Sequence, residues 1–297
     1  MPQPLRDAAV LVNPTAGRGK GARVGMRTLR LLRERGIAVH ALVGRDADES
    51  TDLARVAVEK GTDALVLVGG DGLVHQALQV VAGTPVPVGL VPAGTGNDVA
   101  RYFGVPRRDT AAAVGVIAAG GTRTVDLASA NGTYFVTVLA SGFDSFVNER
   151  ANAMTWPRGQ ARYNLAVAAE LRRLQSLHYT LELDGEVRTV DATLVAVGNG
   201  PSYGGGLRMC EGAVLDDGLL DVVVIRPVGR AELVRVFPRL YTGSHVTHPK
   251  YEHHRVRRVT VAAAGVVAYA DGERIGPLPM TVECIPGALT VFAPPTP

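Results

Sequence analysis

Residues 64–81 read Ala-Leu-Val-Leu-Val-Gly-Gly-Asp-Gly-Leu-Val-His-Gln-Ala-Leu-Gln-Val-Val, and this stretch decides the fold. An unbroken apolar run at 64–68 has the length of a buried strand. Gly69-Gly70-Asp71-Gly72 ends it as a polar turn, and apolar residues at helical spacing over 73–81 predict a helix. The same alternation extends on both sides. Residues 8–12 are a second apolar run, stopped by Asn13-Pro14. Residues 23–35 carry Val24, Leu29, Leu31 and Leu32 at helical spacing and stop at Gly36, a residue suited to a helix C-terminus. Strand patterns follow at 38–43 and 88–91, and a helix at 52–60 ends at Gly61. A βαβαβα order implies a parallel sheet with helices on its faces.

After about Thr124 the pattern changes. Strand-like segments follow one another at 124–130, 134–140, 178–183, 192–197, 219–225, 257–263, 266–269, 280–284 and 289–292. Asn131-Gly132 and Asp184-Gly185 lie between such segments and read as hairpin turns. Helical stretches interrupt at 161–177 and 230–241. The expected organisation is an α/β domain over 1–125 and a mainly antiparallel, β-sandwich-like domain over 126–287, with the tail from about 288 to 297 returning to the first.

Composition excludes several classes. The chain has 297 residues, 46% of them hydrophobic and 20% charged, which is ample for folded cores and unlike a disordered chain. No apolar run reaches the ~18 residues of a membrane span. No signal-peptide apolar region precedes the first turn. Two cysteines, Cys210 and Cys284, make no disulfide framework, and a reduced cytoplasmic compartment is expected. The net charge of +3 comes from scattered arginines. A nucleic-acid partner would need a clustered basic face and is not expected. An anionic membrane surface or a phosphate-bearing substrate fits the balance, as does a solvated arginine-rich surface.

Ligands of open parallel sheets bind outside the carboxyl ends of the strands. Three glycine-rich polar loops fall at such ends: Asn13-Pro14-Thr15-Ala16-Gly17-Arg18-Gly19-Lys20-Gly21, Gly69-Gly70-Asp71-Gly72, and Gly94-Thr95-Gly96-Asn97-Asp98. Glycines let backbone N–H groups approach phosphate oxygens, and a following helix adds positive potential. None is a Walker A or a GxGxxG motif. Singly, Asn97-Asp98 reads as a helix N-cap and Gly69-Gly70 as a tight turn. Jointly, three loops with the carboxylates of Asp71 and Asp98 suit Mg²⁺-bound phosphates.

With these motifs in view, the chain resembles the diacylglycerol kinase catalytic family, in particular the soluble bacterial lipid kinases related to sphingosine and ceramide kinases. The resemblance runs nearly end to end. It rests on Asn13-Pro14-Thr15-Ala16-Gly17, Gly69-Gly70-Asp71-Gly72, Pro92-Ala93-Gly94-Thr95-Gly96-Asn97-Asp98 and Gly142-Phe143-Asp144. It continues through Gly198-Asn199, Gly204-Gly205-Gly206, Asp216-Asp217-Gly218-Leu219-Leu220-Asp221 and Asp271-Gly272-Glu273. The resemblance implies a first domain of NAD kinase and phosphofructokinase type that binds ATP through residues 13–17, Gly69, Gly70, Asp71, Gly72, Gln76, Gly94, Thr95, Asn97 and Asp98. It implies Mg²⁺ at Asp71 and Asp98, with Asp126 joining through water. A structural Mg²⁺ would lie at the Asp217 side chain with carbonyls near Val214 and Leu219. The proton acceptor lies in Asp271-Gly272-Glu273, with either carboxylate able to serve; by itself that tripeptide reads as a hairpin turn. The implied reaction is transfer of the γ-phosphate of ATP to a lipid hydroxyl, with diacylglycerol as substrate and phosphatidic acid as product. The second domain would hold the lipid. The implied setting is the cytoplasm, peripheral to the inner face of the membrane, with anionic phospholipids and a homodimer left open.

The chain also departs from the family pattern. Leu73 stands where Thr is usual, His75 and Gln76 where Asn and Glu are usual, and Glu211 where Pro is common. No hydroxyl occurs near Val43, where the family often has Thr. These departures motivate an alternative, a catalytically silent nucleotide- or lipid-sensing module. A kinase of another hydroxyl lipid, sphingoid or isoprenoid, is a further one. Trp156, Pro157, Arg158, Arg162, Arg172 and Arg173 flank an apolar helix that could rest on an anionic surface or simply pack on its domain. His253-His254 reads as a surface pair.

Overall fold

The computed structural model describes residues 5–157 and 160–295 of the chain; Arg158 lies outside them. Contacts divide the chain into two units, one reaching to Leu127 and resuming at Ile285, the other running from Ala128 to Cys284.

The first unit alternates strands and helices. Its elements are β1 (Asp7–Val12), the distorted turn α1 (Ala16–Gly19), α2 (Gly21–Arg33), β2 (Ala38–Leu42), α3 (Ala47–Glu59), β3 (Leu65–Gly69), α4 (Asp71–Val81), β4 (Val88–Pro92), α5 (Asp98–Tyr102) and α6 (Thr110–Ala118). The strands are parallel in the order β2-β1-β3-β4. β3 is buried along its whole length, which is why it reads as a continuous apolar run. Helix α3 starts earlier than its apolar spacing suggests, because Asp46 caps it by accepting from Glu49 N. α6 escapes the periodicity because its small apolar residues surround the helix almost evenly. The chain leaves this unit along β5 (Thr122–Ala130).

The second unit holds β6 (Thr133–Phe135), β7 (Val138–Gly142), α7 (Phe143–Ala153), α8 (Gln160–Arg172), β8 (Leu177–Leu183), β9 (Glu186–Ala192), β10 (Leu194–Gly198), β11 (Leu220–Ile225), α9 (Arg230–Val236), β12 (Tyr251–Val256), β13 (Arg258–Ala262), β14 (Val267–Ala270) and β15 (Glu273–Pro277). Two 3₁₀ turns, Phe237–Tyr241 and Ser244–Thr247, follow α9. The last strand, β16 (Met280–Phe292), begins here and ends in the first unit, where Val291 lies opposite Val88. Residues 280–292 are thus one strand and not the two that the sequence suggests.

One sheet of the second unit runs antiparallel in the order β12-β11-β10-β7-β14-β15. A sandwich core packs Leu139, Val195, Val197, Val222 and Val224 with Tyr179, Leu181, Val259 and Val261. The alternate residues of the same strands, Val138, Leu194, Ala196 and Val223, form a second cluster with Leu207, Met209, Cys210 and Leu240. The sheet is therefore buried on both faces, and its central strands carry no polar alternation. Asn131-Gly132, Asp184-Gly185 and Asp271-Gly272 all turn antiparallel hairpins, each with positive φ at both residues.

Candidate active site

In the first unit three loops meet at the carboxyl ends of β1, β3 and β4. After β1, Asn13 Oδ1 accepts from Thr15 N at 3.1 Å and Thr15 Oγ1 at 2.8 Å, which folds the loop back on itself. Gly17 then has φ +59°, and a Cβ there would lie 2.1 Å from the Ala93 carbonyl oxygen. Only glycine allows that approach. A Cβ on Gly94 would lie 2.6 Å from Gly70 Cα, so the second and third loops touch backbone to backbone. Thr15 and Thr95 are exposed, and Gln76 is half-buried on α4.

Asn97 corrects the helix-cap reading. It occupies the cap position of α5 but makes no cap hydrogen bond; its amide accepts from Gly94 N and donates to Gly94 O, closing the loop. Leu73 is buried and packs on Gly69, so it belongs to the core and does not face a phosphate.

Asp71 and Asp98 begin α4 and α5. Asp71 Oδ1 accepts from Val99 N, and Asp98 Oδ1 is paired with Arg101. Their remaining oxygens flank Gly96: a Cβ there would lie 3.0 Å from Asp71 Oδ2 and 3.8 Å from Asp98 Oδ2. Burial pushes the Asp71 carboxyl above its ordinary range, backbone N–H groups pull it back, and the Asp98 charge pushes the same way as burial. A desolvated carboxylate beside a second one is a place where a cation fits. Asp126, on β5, is buried, and its Oδ1 accepts from Gly287 N at 2.8 Å.

In the second unit, Asp271 is buried at the β14–β15 turn. Its carboxylate accepts from Val136 N (3.3 Å), Thr137 N (2.9 Å) and Thr137 Oγ1 (2.6 Å). Those two amides are turned out of the strand ladder, so residues 134–140 break into β6 and β7. Glu273 opens β15 and is exposed.

The same unit encloses a cleft that sequence reasoning missed. It has a cavity volume of about 60 Å³ and lies on the outer face of the β7–β10–β11 sheet, walled by Leu194, Ile225, Leu233, Val236, Phe237 and Leu240. Asp144 stands in its wall with Tyr203, whose hydroxyl donates to the Asp144 carboxylate; Glu232, His245, His248 and Lys250 also line it. Desolvation pushes Asp144 up to about 7. The one sequence signal was Gly142-Phe143-Asp144; the walls themselves come from segments far apart in the chain.

Comparison with known proteins matches residues 7–130 to the diacylglycerol kinase catalytic domain and residues 137–293 to the YegS C-terminal NAD kinase beta sandwich-like domain. A diacylglycerol kinase of Mycobacterium tuberculosis is 44% identical over 98% of this chain and 96% of its own. The chain belongs to the diacylglycerol kinase family. A diacylglycerol kinase of Bacillus subtilis is 26% identical over 93% of this chain and 92% of its own. The solved structure of a Bacillus anthracis diacylglycerol kinase shares the fold, with a TM-score of 0.74, 21% identity and coverage of 98% and 97% of the two chains. An NAD kinase from Archaeoglobus fulgidus, solved with ATP, shares it at a TM-score of 0.53 and 15% identity, covering 97% and 93%. The fold expectation, an α/β domain of NAD kinase type beside an antiparallel one, is met.

At the second metal site that family resemblance implies, the Asp217 carboxylate already has two protein partners. Asp217 Oδ1 accepts from Leu219 N at 3.0 Å, and its Oδ2 is paired with the Arg255 guanidinium from β12. Val214 is exposed. Among the described residues no cluster of three or more His, Cys, Asp or Glu could hold a metal. The Arg255 guanidinium supplies a positive charge beside Asp217. The pair His253-His254, read above as surface, is also tied into this region: His253 Nε2 lies 2.6 Å from the buried carboxylate of Asp221. Without nucleotide, the melting temperature is expected to be equal in EDTA and in millimolar Mg²⁺. Arg255→Met is expected to lower it by a few degrees, with Mg²⁺ restoring part of the loss. A wild-type protein destabilised by EDTA would show that the metal, not Arg255, holds Asp217.

Proposed function

We propose that this chain is an ATP- and Mg²⁺-dependent lipid kinase that phosphorylates diacylglycerol to phosphatidic acid at the inner surface of the membrane. The observation that supports the acceptor class is the cleft of the second unit, largely apolar but with Asp144, Tyr203, Glu232 and Lys250 among its lining, which suits a long apolar chain with a polar head. The three loops of the first unit hold ATP through their backbone N–H groups, with Asn13, Gly17, Gly70, Gly94 and Thr95 forming the cradle. Asp71 and Asp98 would hold Mg²⁺, which would supply charge neutralisation for phosphoryl transfer. Asp144 and Tyr203 orient the acceptor head group.

The acceptor oxygen attacks the γ-phosphorus, the bond to the β-phosphate oxygen breaks, and ADP leaves. The hydroxyl proton passes to a carboxylate. The lone pairs of Asp271 are engaged by three donors, whereas the Glu273 carboxylate is open, so Glu273 accepts the proton and Asp271 is the positioning residue of that turn.

The test is transfer of labelled γ-phosphate to mixed micelles holding diacylglycerol, sphingosine or a polyisoprenol, with Mg²⁺ and with EDTA. Label on diacylglycerol that vanishes in EDTA is expected. Label on another lipid alone changes the substrate, and nucleotide binding without label on any lipid overturns the kinase reading. Leu233→Trp, which fills the cleft, is expected to raise KM for diacylglycerol about tenfold or more, as the loss of one good apolar contact would, and to leave KM for ATP unchanged.

A further inference from the structure

The cover of the apolar cleft has two faces of different chemistry. Residues 230–247 form α9 and the two 3₁₀ turns, a single layer of chain. Leu233, Val236, Phe237 and Leu240 point inward and line the cleft. The intervening residues point outward, and three of them are large and apolar: Val234 is 56% exposed, Tyr241 52% and Val246 37%. Nothing in a monomer's core accounts for three exposed apolar side chains on so short a segment. Tyr241 is held edge-on against Phe237, so an exposed ring is fixed to a cleft-lining one.

Charge on this face is mainly positive: Arg226 pairs with Glu252 and Lys250 with Glu232, and Arg230, Arg235 and Arg239 remain as the surplus. Between residues 226 and 250 the chain carries Arg226, Arg230, Arg235, Arg239 and Lys250, and a single carboxylate, Glu232. Glu232 is turned inward to the cleft, where it accepts from Gly229 N and pairs with Lys250. Arg230 donates to the Arg172 carbonyl at the end of α8, which brings the exposed Arg172 and Arg173 to the same margin. The outer surface therefore offers apolar and aromatic tips among arginines. That is the composition of a segment lying in the headgroup layer of an anionic bilayer.

We propose that the outer face of residues 230–247 seats this chain on a bilayer containing anionic phospholipid. Val234, Tyr241 and Val246 enter the headgroup layer, and Arg230, Arg235 and Arg239 meet its phosphates. The apolar cleft lies directly beneath, so the layer between bilayer and cleft is one helix and two turns thick. The purpose assigned to this surface, delivery of the acceptor, rests on the lipid-kinase reading; the surface itself rests on exposure and charge. It differs from the helix at 160–172, whose flanks the sequence marks for membrane contact.

The test is co-sedimentation of the full chain with phosphatidylcholine vesicles, with and without phosphatidylglycerol, beside phosphorylation of a short-chain diacylglycerol below its micellar concentration. Wild type is expected to sediment only with phosphatidylglycerol vesicles, and less so in high salt. Val234→Asp with Tyr241→Asp is expected to weaken sedimentation about tenfold or more, and Val234→Asp alone, which leaves the ring pair with Phe237 in place, is expected to weaken it with melting temperature and phosphorylation of the dispersed substrate unchanged. Arg235→Glu is expected to weaken it and to remove part of the salt dependence. Trp156→Ala is expected to leave sedimentation intact. Sedimentation that survives Val234→Asp/Tyr241→Asp, or that is lost with Trp156→Ala instead, overturns the proposal and leaves the kinase reading standing. Wild type that ignores anionic vesicles also overturns it. Sedimentation lost in the α9 variants of a chain that phosphorylates no lipid keeps this surface and removes the kinase reading.

Discussion

Replacing Glu273 by glutamine is expected to lower kcat for phosphoryl transfer by about 100- to 10,000-fold, the range a positioned general base contributes. Nucleotide affinity and melting temperature are expected to stay at wild-type values, because the side chain is exposed at the start of β15 and supports nothing beneath it. Asp271→Asn is the informative contrast. Its carboxylate accepts from Val136 N, Thr137 N and Thr137 Oγ1, and an amide in its place offers one acceptor oxygen and turns an NH₂ toward donors. Buried donors left without a partner cost roughly 1–3 kcal/mol, so that variant should melt measurably earlier. It should also lose activity, through misplacement of the turn. The two roles separate by readout. Loss of kcat without loss of stability marks the proton acceptor; joint loss marks the positioning residue. Full activity in Glu273→Gln would return the proton to Asp271.

The parts of this molecule that were legible in the sequence are those in which one short segment decides its own structure. Residues 64–81 encode strand, turn and helix by periodicity alone, and hairpin dipeptides such as Asp184-Gly185 encode their own backbone. What stayed hidden depends on partners far along the chain. The break between β6 and β7 is made by a carboxylate more than a hundred residues away, since Asp271 and Thr137 are separated by 134 positions. Strand β12 was missed because its histidines, glutamate and arginine do not look like strand material; they are placed there by antiparallel pairing with β11. Helix α7 has a weak apolar stripe and follows a strand without a loop, so its pattern merges into its neighbours. Of the candidate site, the convergence of the three glycine-rich loops was legible because each follows an apolar strand run of the parallel sheet. Which partners engage Asp71 and Asp98 was not, since that depends on Val99 and Arg101. The Arg255–Asp217 pair spans 38 residues and could not be read from spacing at all.

Asp71→Asn is expected to have effects of opposite sign on stability and on activity. The Asp71 carboxyl is held above its ordinary value of 3.8, burial being the largest cause, and Asp98 adds to it. A group raised in the folded state binds its proton more tightly there than in the unfolded chain. The folded protein therefore carries the extra proton between the two values, and stability falls as pH rises through that window. Above the window the protein bears the full cost of a desolvated carboxylate; well below it, in acid, the cost is absent. Asparagine keeps the shape and its one oxygen can still accept from part of the backbone N–H groups of Asn97, Asp98 and Val99, and it has no charge to desolvate, which is the larger effect here. The variant is thus expected to melt higher than wild type at neutral pH, with the gain shrinking to nothing below about pH 4, the ordinary range for this carboxyl. Activity should move the other way. If Asp71 and Asp98 hold Mg²⁺ against the phosphates, removal of one charge leaves the ion with a single carboxylate already shared with Arg101. A loss in kcat/KM for ATP of about a thousandfold or more is expected, in line with the weight of charge neutralisation in phosphoryl transfer. The pairing of these outcomes is the discriminating result. A carboxylate kept only to begin helix α4 would lose stability on amidation, since negative charge at a helix N-terminus is favourable, and would leave turnover untouched. Calorimetry of both proteins at neutral and acid pH, beside ATP titrations of the initial rate, decides between a strained ligand and a helix cap.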